Sequence, residues 1–314
     1  MGMLVEGVWK DIPRQTTEGA FVRPDAAFRG AVSRGGPYPP EAGRYRLYVS
    51  RACPWAHRTL IVRALKGLEK AIPAYFADPY MAENGWTFTE GGFACLHQLY
   101  SAAKPDYTGR ASVPVLWDSR TRTIVCNESS EIIRLLNREF DEFATRRLHD
   151  LYPERLRKEI DAVNERVYRT LNNGVYRAGF ATAQGKYEQA VTDVFRTLDW
   201  LEKRLARRSW LCGTRFTEAD VRLFTTLVRF DAVYHGHFKC NIRRLIDYRH
   251  LWAYTRDVYQ IPGVAQTVNF THIKRHYYQS HKRINPSGIV PVGPLLDFDA
   301  PAERGKDITR LLNF

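Results

Sequence analysis

The spacing of hydrophobic positions changes near residue 150, and the two parts of the chain predict different classes of structure. Before that point, short apolar, aromatic and β-branched runs predict strands, and segments of helical period lie between them. The stretch 73–110 is less regular and predicts a strand followed by a long loop. The other elements predicted there are strands at 45–49, 112–118 and 123–127 and helices that begin at residues 54 and 128.

After residue 150 the hydrophobic period is helical almost throughout. Amphipathic helices are predicted at 156–176, 186–207 and 217–235, and shorter ones at 248–261 and 268–281. The pattern therefore predicts an all-helical domain that follows a mixed α/β domain.

The helix predicted at 217–235 has a clear start signal. Thr217 is expected to be its N-cap, and Asp220 lies three residues later, where its side chain can accept a bond from the N-cap backbone. Phe216 can pack on Val221 as a hydrophobic staple.

The hydrophobic patterns described above divide the chain into four segments. The predicted segments are an N-terminal arm at 1–43, an α/β domain at 44–145, an all-helical domain at 150–284 and a C-terminal tail at 285–314.

Composition favours a globular protein. Hydrophobic residues make up 44% of the 314 residues and aromatic residues 13%, which is enough for a packed core. No stretch approaches the roughly 20 apolar residues of a membrane span, and the first residues lack a basic start followed by an apolar run. A cytoplasmic location without membrane partners is therefore expected. The five cysteines are widely spaced and odd in number, which favours reduced thiols over a disulfide scaffold.

The chain carries a formal net charge of +13, which raises the question of an acidic partner. Nucleic acid, an anionic small substrate and ordinary solvated helix faces all fit such a balance. The positive residues are spread along the chain, and no block of five or more like charges occurs. Solvated helix faces are therefore the favoured interpretation, and no nucleic-acid partner is expected.

The candidate chemistry lies at Cys53, where the first predicted strand gives way to a helix. At the start of a helix its sulfur would face unpaired backbone N–H groups, and Arg51, His57 and Arg58 add positive charge nearby. Both effects favour the thiolate and lower the pKa of the thiol from about 8.5. The alternative is that Cys53 is an unreactive, small apolar residue buried in the core. A dithiol enzyme would have a second cysteine at position 56, but this chain has Ala56. The arrangement predicts a monothiol cycle in which an external thiol, most simply glutathione, releases a mixed disulfide.

Several motifs resemble the glutathione transferase superfamily, and the longer ones resemble its Xi class, the glutathionyl-hydroquinone reductases. The resemblance runs from about residue 40 to 294. It implies the glutathione transferase fold: a thioredoxin-like α/β N-terminal domain, an all-α C-terminal domain and a homodimer. The motifs that carry it are CPWAHR, SVPVLWD, NESSEI, GWTF, NNGVYRAGFA and HIKRHYYQSHKRINPSGIVPVGP.

By this resemblance Cys53 is the nucleophile. It attacks the sulfur of a glutathionyl-hydroquinone, plain or chlorinated, and becomes glutathionylated. A second glutathione then regenerates it and leaves as oxidised glutathione, with no metal or nucleotide required. The carbon that loses sulfur needs a proton, and the resemblance assigns its transfer to Tyr176, with Tyr234 and Tyr277 as hydrogen-bond donors near the sulfur. Tyr278 stays open as an alternative to Tyr277.

The resemblance also implies the residues that bind glutathione. Val113, before a cis Pro114, would offer its backbone to the cysteinyl part of the tripeptide. Glu128 and Ser129, at the start of a helix, would hold the γ-glutamyl amine and carboxylate. Trp86 and Arg110 would complete the pocket, with Arg110 near the glycyl carboxylate. Taken one by one, these residues are equally consistent with capping and core roles.

Two other functions stay open at this point. An omega-like transferase or dehydroascorbate reductase would share the cysteine and the glutathione pocket, but not the tyrosines or the long tail. A non-catalytic domain that binds partners or RNA is favoured by the charge of +13 and disfavoured by the intact cysteine site. A metal site is not expected. The sequence from His235 to Cys240 lacks an evident fourth ligand, and His272 and His276 lack the glutamate of a metalloprotease motif.

Overall fold

The computed structural model describes residues 2–12 and 16–304. Residues 1 and 13–15 of the predicted arm and residues 305–314 of the predicted tail lie outside the described residues. Contacts between residues divide the chain into two units. Unit 1 comprises Met1–Arg14, Pro24–Arg146 and Thr267–Ser280, and unit 2 comprises Gln15–Arg23, Arg147–Gln266 and His281–Phe314. The domain boundaries expected from the sequence stay predictions.

The predicted irregular arm begins with a β-hairpin that packs within unit 1. Strands β1 (Met3–Val5) and β2 (Val8–Lys10) pair antiparallel around Gly7, whose φ is +77°. A Cβ atom at Gly7 would lie 1.7 Å from the carbonyl oxygen of Pro105, so the turn has no room for a side chain. Three-residue strands are too short for the alternation that reveals a strand in the sequence, which is why the pattern did not indicate them.

Unit 1 contains a four-stranded mixed sheet in the order β4-β3-β5-β6. Strand β3 pairs parallel with β4 and antiparallel with β5, and β5 pairs antiparallel with β6. Helices α1 and α3 pack on each other, and most of α1 is buried. The elements are β3 (Tyr45–Val49), α1 (Pro54–Leu65), β4 (Ala74–Phe76), α2 (Leu96–Ala103), β5 (Val115–Asp118), β6 (Thr123–Cys126) and α3 (Ser129–Arg138). The predicted order of strands and helices is confirmed, apart from α2.

Helix α2 lies inside the stretch that the sequence analysis assigned to a long loop, so that assignment was wrong. Leu96, Leu99 and Tyr100 are buried and form its apolar face. Its start is a capping box in which the backbone N–H of Cys95 donates to the side chain of Gln98 over 3.0 Å. A helix of two turns offers only one repeat of the helical period, which is too little for recognition in a sequence rich in glycine and aromatic residues.

The described part of unit 2 is helical. Its helices are α4 (Arg157–Val167), α5 (Gly174–Gly179), α6 (Gln184–Leu205), α7 (Glu218–Leu227) and α8 (Arg249–Tyr259). Helix α9 (Phe270–Ser280) follows in the chain and belongs to unit 1. Among the described residues, no helix combines the length and the apolar character that crossing a bilayer requires.

Two of the predicted helices are interrupted by π-helical turns. The helix predicted at 156–176 begins as α4 and continues through the π-helical segment Tyr168–Asn172 into α5. The first part of the helix predicted at 217–235 is α7, and the π-helical segment Phe230–Tyr234 forms its last part. An inserted residue shifts the hydrophobic period only slightly, so the pattern predicted continuous helices. Such π-helical turns often mark functional sites.

The predicted capping box of α7 is confirmed and lies in a fully buried site. The carboxylate of Asp220 accepts hydrogen bonds from the backbone N–H of Thr217 and of Leu211, both at 2.9 Å. It also accepts one from the hydroxyl of Tyr254 at 2.9 Å. One side chain therefore joins the start of α7, the preceding turn and α8.

We expect Asp220→Ala to destabilise the protein by about 3–5 kcal/mol, because four buried donors, the hydroxyl of Thr217 among them, lose their acceptor. Urea unfolding followed by circular dichroism measures the change. Asp247→Ala is the matched control, since Asp247 accepts equivalent bonds from Arg244 at an exposed site and should have little effect. Equal midpoints for the two variants would contradict the prediction.

Candidate active site

Cys53 lies at the start of α1, as the sequence predicts. It is the N-cap residue, with extended backbone angles (φ −75°, ψ 122°), and Pro54 begins the helix. Its backbone N–H donates to the carbonyl of Ser50 over 3.2 Å, and its carbonyl accepts from the N–H of His57 over 3.0 Å. A tight turn after β3 therefore places the partly buried thiol at the positive end of α1.

The sulfur of Cys53 lies beside the backbone edge that precedes β5. Its Sγ is 3.7 Å from the main-chain carbonyl oxygen of Val113, to which the protonated thiol donates. The Val113–Pro114 peptide bond is cis, and both residues are buried. Two of the predicted site elements, the thiol and the backbone of Val113, are thus brought together within unit 1.

The positive side chains near Cys53 are each engaged by neighbours of their own. The Arg51 guanidinium lies 3.8 Å from the centroid of the Phe76 ring, and burial lowers its pKa. The fully buried His57 ring is hydrogen-bonded to the hydroxyl of Thr267 at 2.8 Å. This bond connects α1 to the segment that leads into α9.

The start of α3 brings Glu128 and Ser129 together with α1. Glu128 is the N-cap residue, and its Oε1 accepts from the backbone N–H and from the hydroxyl of Ser130, both at 2.8 Å. Arg58 is almost fully buried and donates from Nη1 to the hydroxyl oxygen of Ser129 over 3.3 Å. Glu128 therefore caps α3, while Ser129 has a buried guanidinium beside it at a helix N-terminus.

Trp86 and Arg110 contact two different parts of unit 1. The indole ring of Trp86 stacks on the ring of His276 in α9, with centroids 4.6 Å apart. Arg110 donates from Nη1 to the carbonyl oxygens of Gly2 and Ile12, both at 2.8 Å, and burial lowers its pKa. The β1–β2 hairpin region therefore holds the Arg110 side chain, a contact that the sequence did not reveal.

The three predicted tyrosines fall in both units. Tyr277 belongs to α9 in unit 1 and is 1% exposed, whereas the neighbouring Tyr278 is half-buried. Tyr176 lies in α5 of unit 2, and Tyr234 ends a π-helical turn of the same unit. The rings of Tyr176 and Tyr234 have centroids 6.1 Å apart.

Tyr176 and Tyr234 belong to a group of five rings in unit 2, here called the aromatic cluster. The ring of Phe238 stacks on Tyr234 at 5.6 Å and meets Tyr176 edge-on at 5.4 Å. A Cβ atom at Gly179 would lie 2.2 Å from the Phe238 ring, so only glycine there permits this packing. The members of the aromatic cluster are Phe21, Tyr176, Phe180, Tyr234 and Phe238.

The phenylalanines of the aromatic cluster are functional-site candidates that were not predicted from the sequence. Phe180 and Phe238 could have been found from the sequence, because they follow Tyr176 and Tyr234 by four residues. This spacing places two side chains on the same face of a helix. Phe21 lies in the arm, more than 150 residues before Tyr176, and local spacing gives no sign of its contact.

The four other cysteines have the features of structural residues. All five cysteines lie in the described residues, and none forms a disulfide. Burial raises the pKa values of the Cys126, Cys212 and Cys240 thiols to about 12 and raises the pKa of Cys95. Thiols of this kind are poor nucleophiles at neutral pH.

His237, in the segment considered for a metal site, has another histidine as its hydrogen-bond partner. Nε2 of His237 is hydrogen-bonded to Nδ1 of His281 at 3.1 Å, and burial lowers the pKa of His237 to about 4. In residues 2–12 and 16–304, no group of three or more His, Cys, Asp or Glu side chains is arranged to hold a metal ion.

Comparison with known proteins identifies the family of this site. The sequence model of the glutathione S-transferase N-terminal domain matches residues 52–139, and that of the C-terminal domain matches residues 184–257. The glutathionyl-hydroquinone reductase PcpF of Sphingobium chlorophenolicum is 53% identical over 305 residues, which cover 94% of this chain and 96% of that protein. The chain belongs to the glutathione S-transferase family. The predicted α/β and all-α fold class is thereby confirmed.

Solved structures assign this glutathione S-transferase to a class. The Xi class glutathione S-transferase from Natrialba magadii superposes with a TM-score of 0.89 at 48% identity and covers 96% of both chains. The glutathione-bound structure of YqjG, a glutathione transferase homologue from Escherichia coli K-12, has a TM-score of 0.87 at 48% identity and covers 96% of this chain and 99% of that one. The predicted resemblance to the Xi class is confirmed.

Proposed function

We propose that this glutathione S-transferase is a glutathionyl-hydroquinone reductase, a thiol transferase that uses glutathione as co-substrate. PcpF and the E. coli protein YqjG both carry that name, and YqjG is 49% identical over 98% of this chain. The observation that carries the proposal is the Cys53 sulfur at the N-terminus of α1, beside the Val113 carbonyl and with Ala56 where a second thiol would stand.

In the first step the Cys53 thiolate attacks the glutathionyl sulfur of the conjugate. A disulfide forms between Cys53 and glutathione, and the bond between that sulfur and the aromatic carbon breaks. The electron pair of the broken bond goes to the ring carbon, which takes up a proton, so the conjugate is reduced to the hydroquinone. The positive end of α1 favours the thiolate that begins this step.

In the second step a glutathione thiolate attacks the mixed disulfide. Oxidised glutathione leaves, and the Cys53 thiolate is restored. The two steps balance without a metal or a nucleotide, because two thiols supply the electrons that replace a carbon–sulfur bond by a carbon–hydrogen bond. Since position 56 is alanine, no neighbouring thiol competes with the second glutathione.

We assign proton transfer to the ring carbon to Tyr176, and the hydrogen bonds near the sulfur to Tyr234 and Tyr277. These roles rest on the resemblance of the NNGVY, DAVYHG and RHYY motifs. The π-helical turns before Tyr176 and at Tyr234 support a functional role for both residues. The deeper burial of Tyr277 favours it over Tyr278.

Glutathione is expected to pair with the backbone of Val113 through its cysteinyl part. This pairing brings the sulfur of the tripeptide toward Cys53, because the Val113 carbonyl is only 3.7 Å from the Cys53 sulfur. Glu128 and Ser129 would hold the γ-glutamyl end at the N-terminus of α3, where backbone N–H groups favour a carboxylate. Trp86 and Arg110 would complete the pocket.

The proposal is tested by incubating the purified protein with a glutathionyl-hydroquinone and glutathione. Chromatography should show one hydroquinone and one oxidised glutathione for each conjugate consumed. The omega-like alternative predicts dehydroascorbate reduction as the main activity, and a non-catalytic binding domain predicts neither product. Absence of hydroquinone release would therefore overturn the proposal.

The reactivity of Cys53 should depend on pH as a thiolate at a helix N-terminus does. We expect its alkylation rate to reach half of its maximum well below the pKa of about 8.5 of a free cysteine. Mass spectrometry of the alkylated peptides measures the rate at each pH. Cys95 is the matched control, because it also precedes a helix but burial raises its pKa. A Cys53 midpoint equal to that of Cys95 would contradict the assignment.

The homodimer and the cytoplasmic location inferred from the sequence remain predictions. Both rest on the resemblance and on the composition of the chain. The net charge of +13 remains assigned to solvated helix faces, with no nucleic-acid partner proposed.

A further inference from the structure

A segment of the N-terminal arm packs inside unit 2, against the helix that carries Tyr176. The backbone N–H of Thr182 donates to the carbonyl of Gly19 over 3.1 Å, and the hydroxyls of Thr16 and Thr182 are hydrogen-bonded at 3.1 Å. A Cβ atom at Gly19 would lie 2.6 Å from the Cβ of Ala183. The segment is therefore fixed to the connection between α5 and α6.

This segment places Phe21 and Arg23 against the aromatic cluster. Phe21 is 7% exposed, and its ring lies 5.4 Å from that of Phe180 and 6.3 Å from that of Tyr176. The guanidinium carbon of Arg23 lies 5.1 Å from the centroid of the Tyr176 ring. The charged group is thus within the range in which a cation interacts with the face of an aromatic ring.

Asn173 fixes the position of the Arg23 guanidinium. Nε of Arg23 donates to Oδ1 of Asn173 over 2.8 Å. Asn173 is the residue before α5, and Tyr176 follows three residues later, so both contacts of Arg23 reach the same turn of the chain. The guanidinium is therefore held by a hydrogen bond at Nε, and its central carbon lies beside the face of the Tyr176 ring.

We propose that Arg23 is a positioning residue that acts through Tyr176: its guanidinium stabilises the phenolate that remains when Tyr176 gives its proton to the ring carbon of the hydroquinone. This inference rests on the proposed function. A cation over a neutral phenol is attracted by the ring, and it is attracted more strongly once the phenolate spreads negative charge into that ring. The interaction therefore strengthens as the proton leaves, which lowers the barrier.

The surroundings of the Tyr176 ring strengthen the interaction between the Arg23 charge and the phenolate. Phe180, Phe238 and Tyr234 line other sides of Tyr176, and their apolar rings reduce the screening of a nearby charge. Nη1 of Arg177, the next residue of α5, lies 3.6 Å from Oδ2 of Asp193 in α6. The positive charge of Arg177 is thereby partly offset by a carboxylate.

The inference predicts a loss of turnover without a loss of binding. Arg23→Met should lower kcat for hydroquinone release about tenfold and leave KM for the conjugate within about twofold. Arg23→Lys, which keeps the charge, should recover most of the rate. Asn173→Ala, which removes the partner of Nε, should lower kcat in the same direction without changing the arm.

Arg166→Met is the matched control in the same unit. The guanidinium of Arg166 lies 4.2 Å from the centroid of the Trp200 ring, so this variant removes an equivalent contact away from Tyr176. Its kcat should equal that of the unchanged protein. Circular dichroism and melting temperature, recorded for every variant, separate a folding defect from a change in turnover.

A double-mutant cycle tests whether Arg23 acts through the phenol. In a Tyr176→Phe background, Arg23→Met should cause no further loss, because no phenolate forms. A tenfold loss in both backgrounds, or an unchanged kcat for Arg23→Met and Asn173→Ala, would overturn the inference. If Tyr176→Phe itself turns over normally, the assigned role of Tyr176 fails instead, and the single variant shows this by itself.

Discussion

Replacement of Cys53 by serine or alanine is expected to lower the rate of hydroquinone release at least about a thousandfold. The serine hydroxyl has nearly the same position at the start of α1 but is not ionised at neutral pH, and alanine has no nucleophile. Both variants lose the mixed disulfide through which the two proposed steps are connected. Initial rates measured by chromatography with excess glutathione give the size of the loss.

Cys95→Ser is the matched control for Cys53→Ser. Both cysteines are N-cap residues of helices in unit 1, at α1 and at α2, and both are partly buried. Cys95 has no role in the proposed chemistry, so its variant should keep full activity. Mass spectrometry of the unchanged protein, quenched during turnover, should find one glutathionyl group on Cys53 and none on Cys95.

Retention of activity in Cys53→Ala would contradict the proposed mechanism. An enzyme that conjugates glutathione to electrophiles activates the thiol of glutathione itself, and it can lose Cys53 without losing that activity. Conjugation that survives the substitution, together with absent hydroquinone release, would favour a transferase. Binding of glutathione, measured by calorimetry, should persist in Cys53→Ala, because the proposed contacts of Val113 and Glu128 do not depend on the sulfur.

The sequence predicted elements of the fold where local pattern and end signals agreed. Strand β3 was predicted with the bounds that the structure shows, Tyr45–Val49, because a compact aromatic and β-branched run ends at the Cys53 turn. The start of α7 was equally clear, because Thr217 and Asp220 form a capping box that depends on residues three apart. Such signals are local, so a single sequence displays them.

Elements that depend on distant contacts or on small shifts were not predicted. The β1–β2 hairpin packs with Gly7 close to Pro105, a contact between distant residues that no local pattern indicates. Helix α2 has only two turns, too few for the helical period to be recognised in the sequence. The π-helical turns at Tyr168–Asn172 and Phe230–Tyr234 insert a residue without a breaker such as proline.

The same distinction between local and distant signals applies to the candidate site. The turn at Cys53 and the start of α3 at Glu128 could be predicted from the sequence, because helix starts have recognisable residues. The roles given to Tyr176 and the other tyrosines came from the resemblance alone. The contacts of Phe21 and Arg23 with Tyr176 join residues about 150 positions apart, and only a folded structure brings such residues together.

Tyr176→Phe is expected to slow hydroquinone release by about 10²–10³ while glutathione binding stays nearly unchanged. A positioned general acid contributes about 10²–10⁴ in rate, and the neighbouring Tyr234 or water can replace part of it. The substitution removes one oxygen atom and keeps the ring, so the packing with Phe180 and Phe238 in the aromatic cluster is retained. The loss should therefore appear in kcat, not in KM or in the melting temperature.

Tyr187→Phe provides the control for loss of a phenolic hydroxyl in the same unit. The Tyr187 hydroxyl donates to the carbonyl of Lys239 over 2.8 Å at an exposed position, so its removal should leave turnover unchanged. In deuterated water, the unchanged protein should place one deuteron on the hydroquinone carbon that carried sulfur, and its rate should fall if proton transfer limits turnover. If Tyr176→Phe and Tyr187→Phe turn over equally fast, the proton comes from another donor, and Tyr176 then contributes only its ring to the packing of α5.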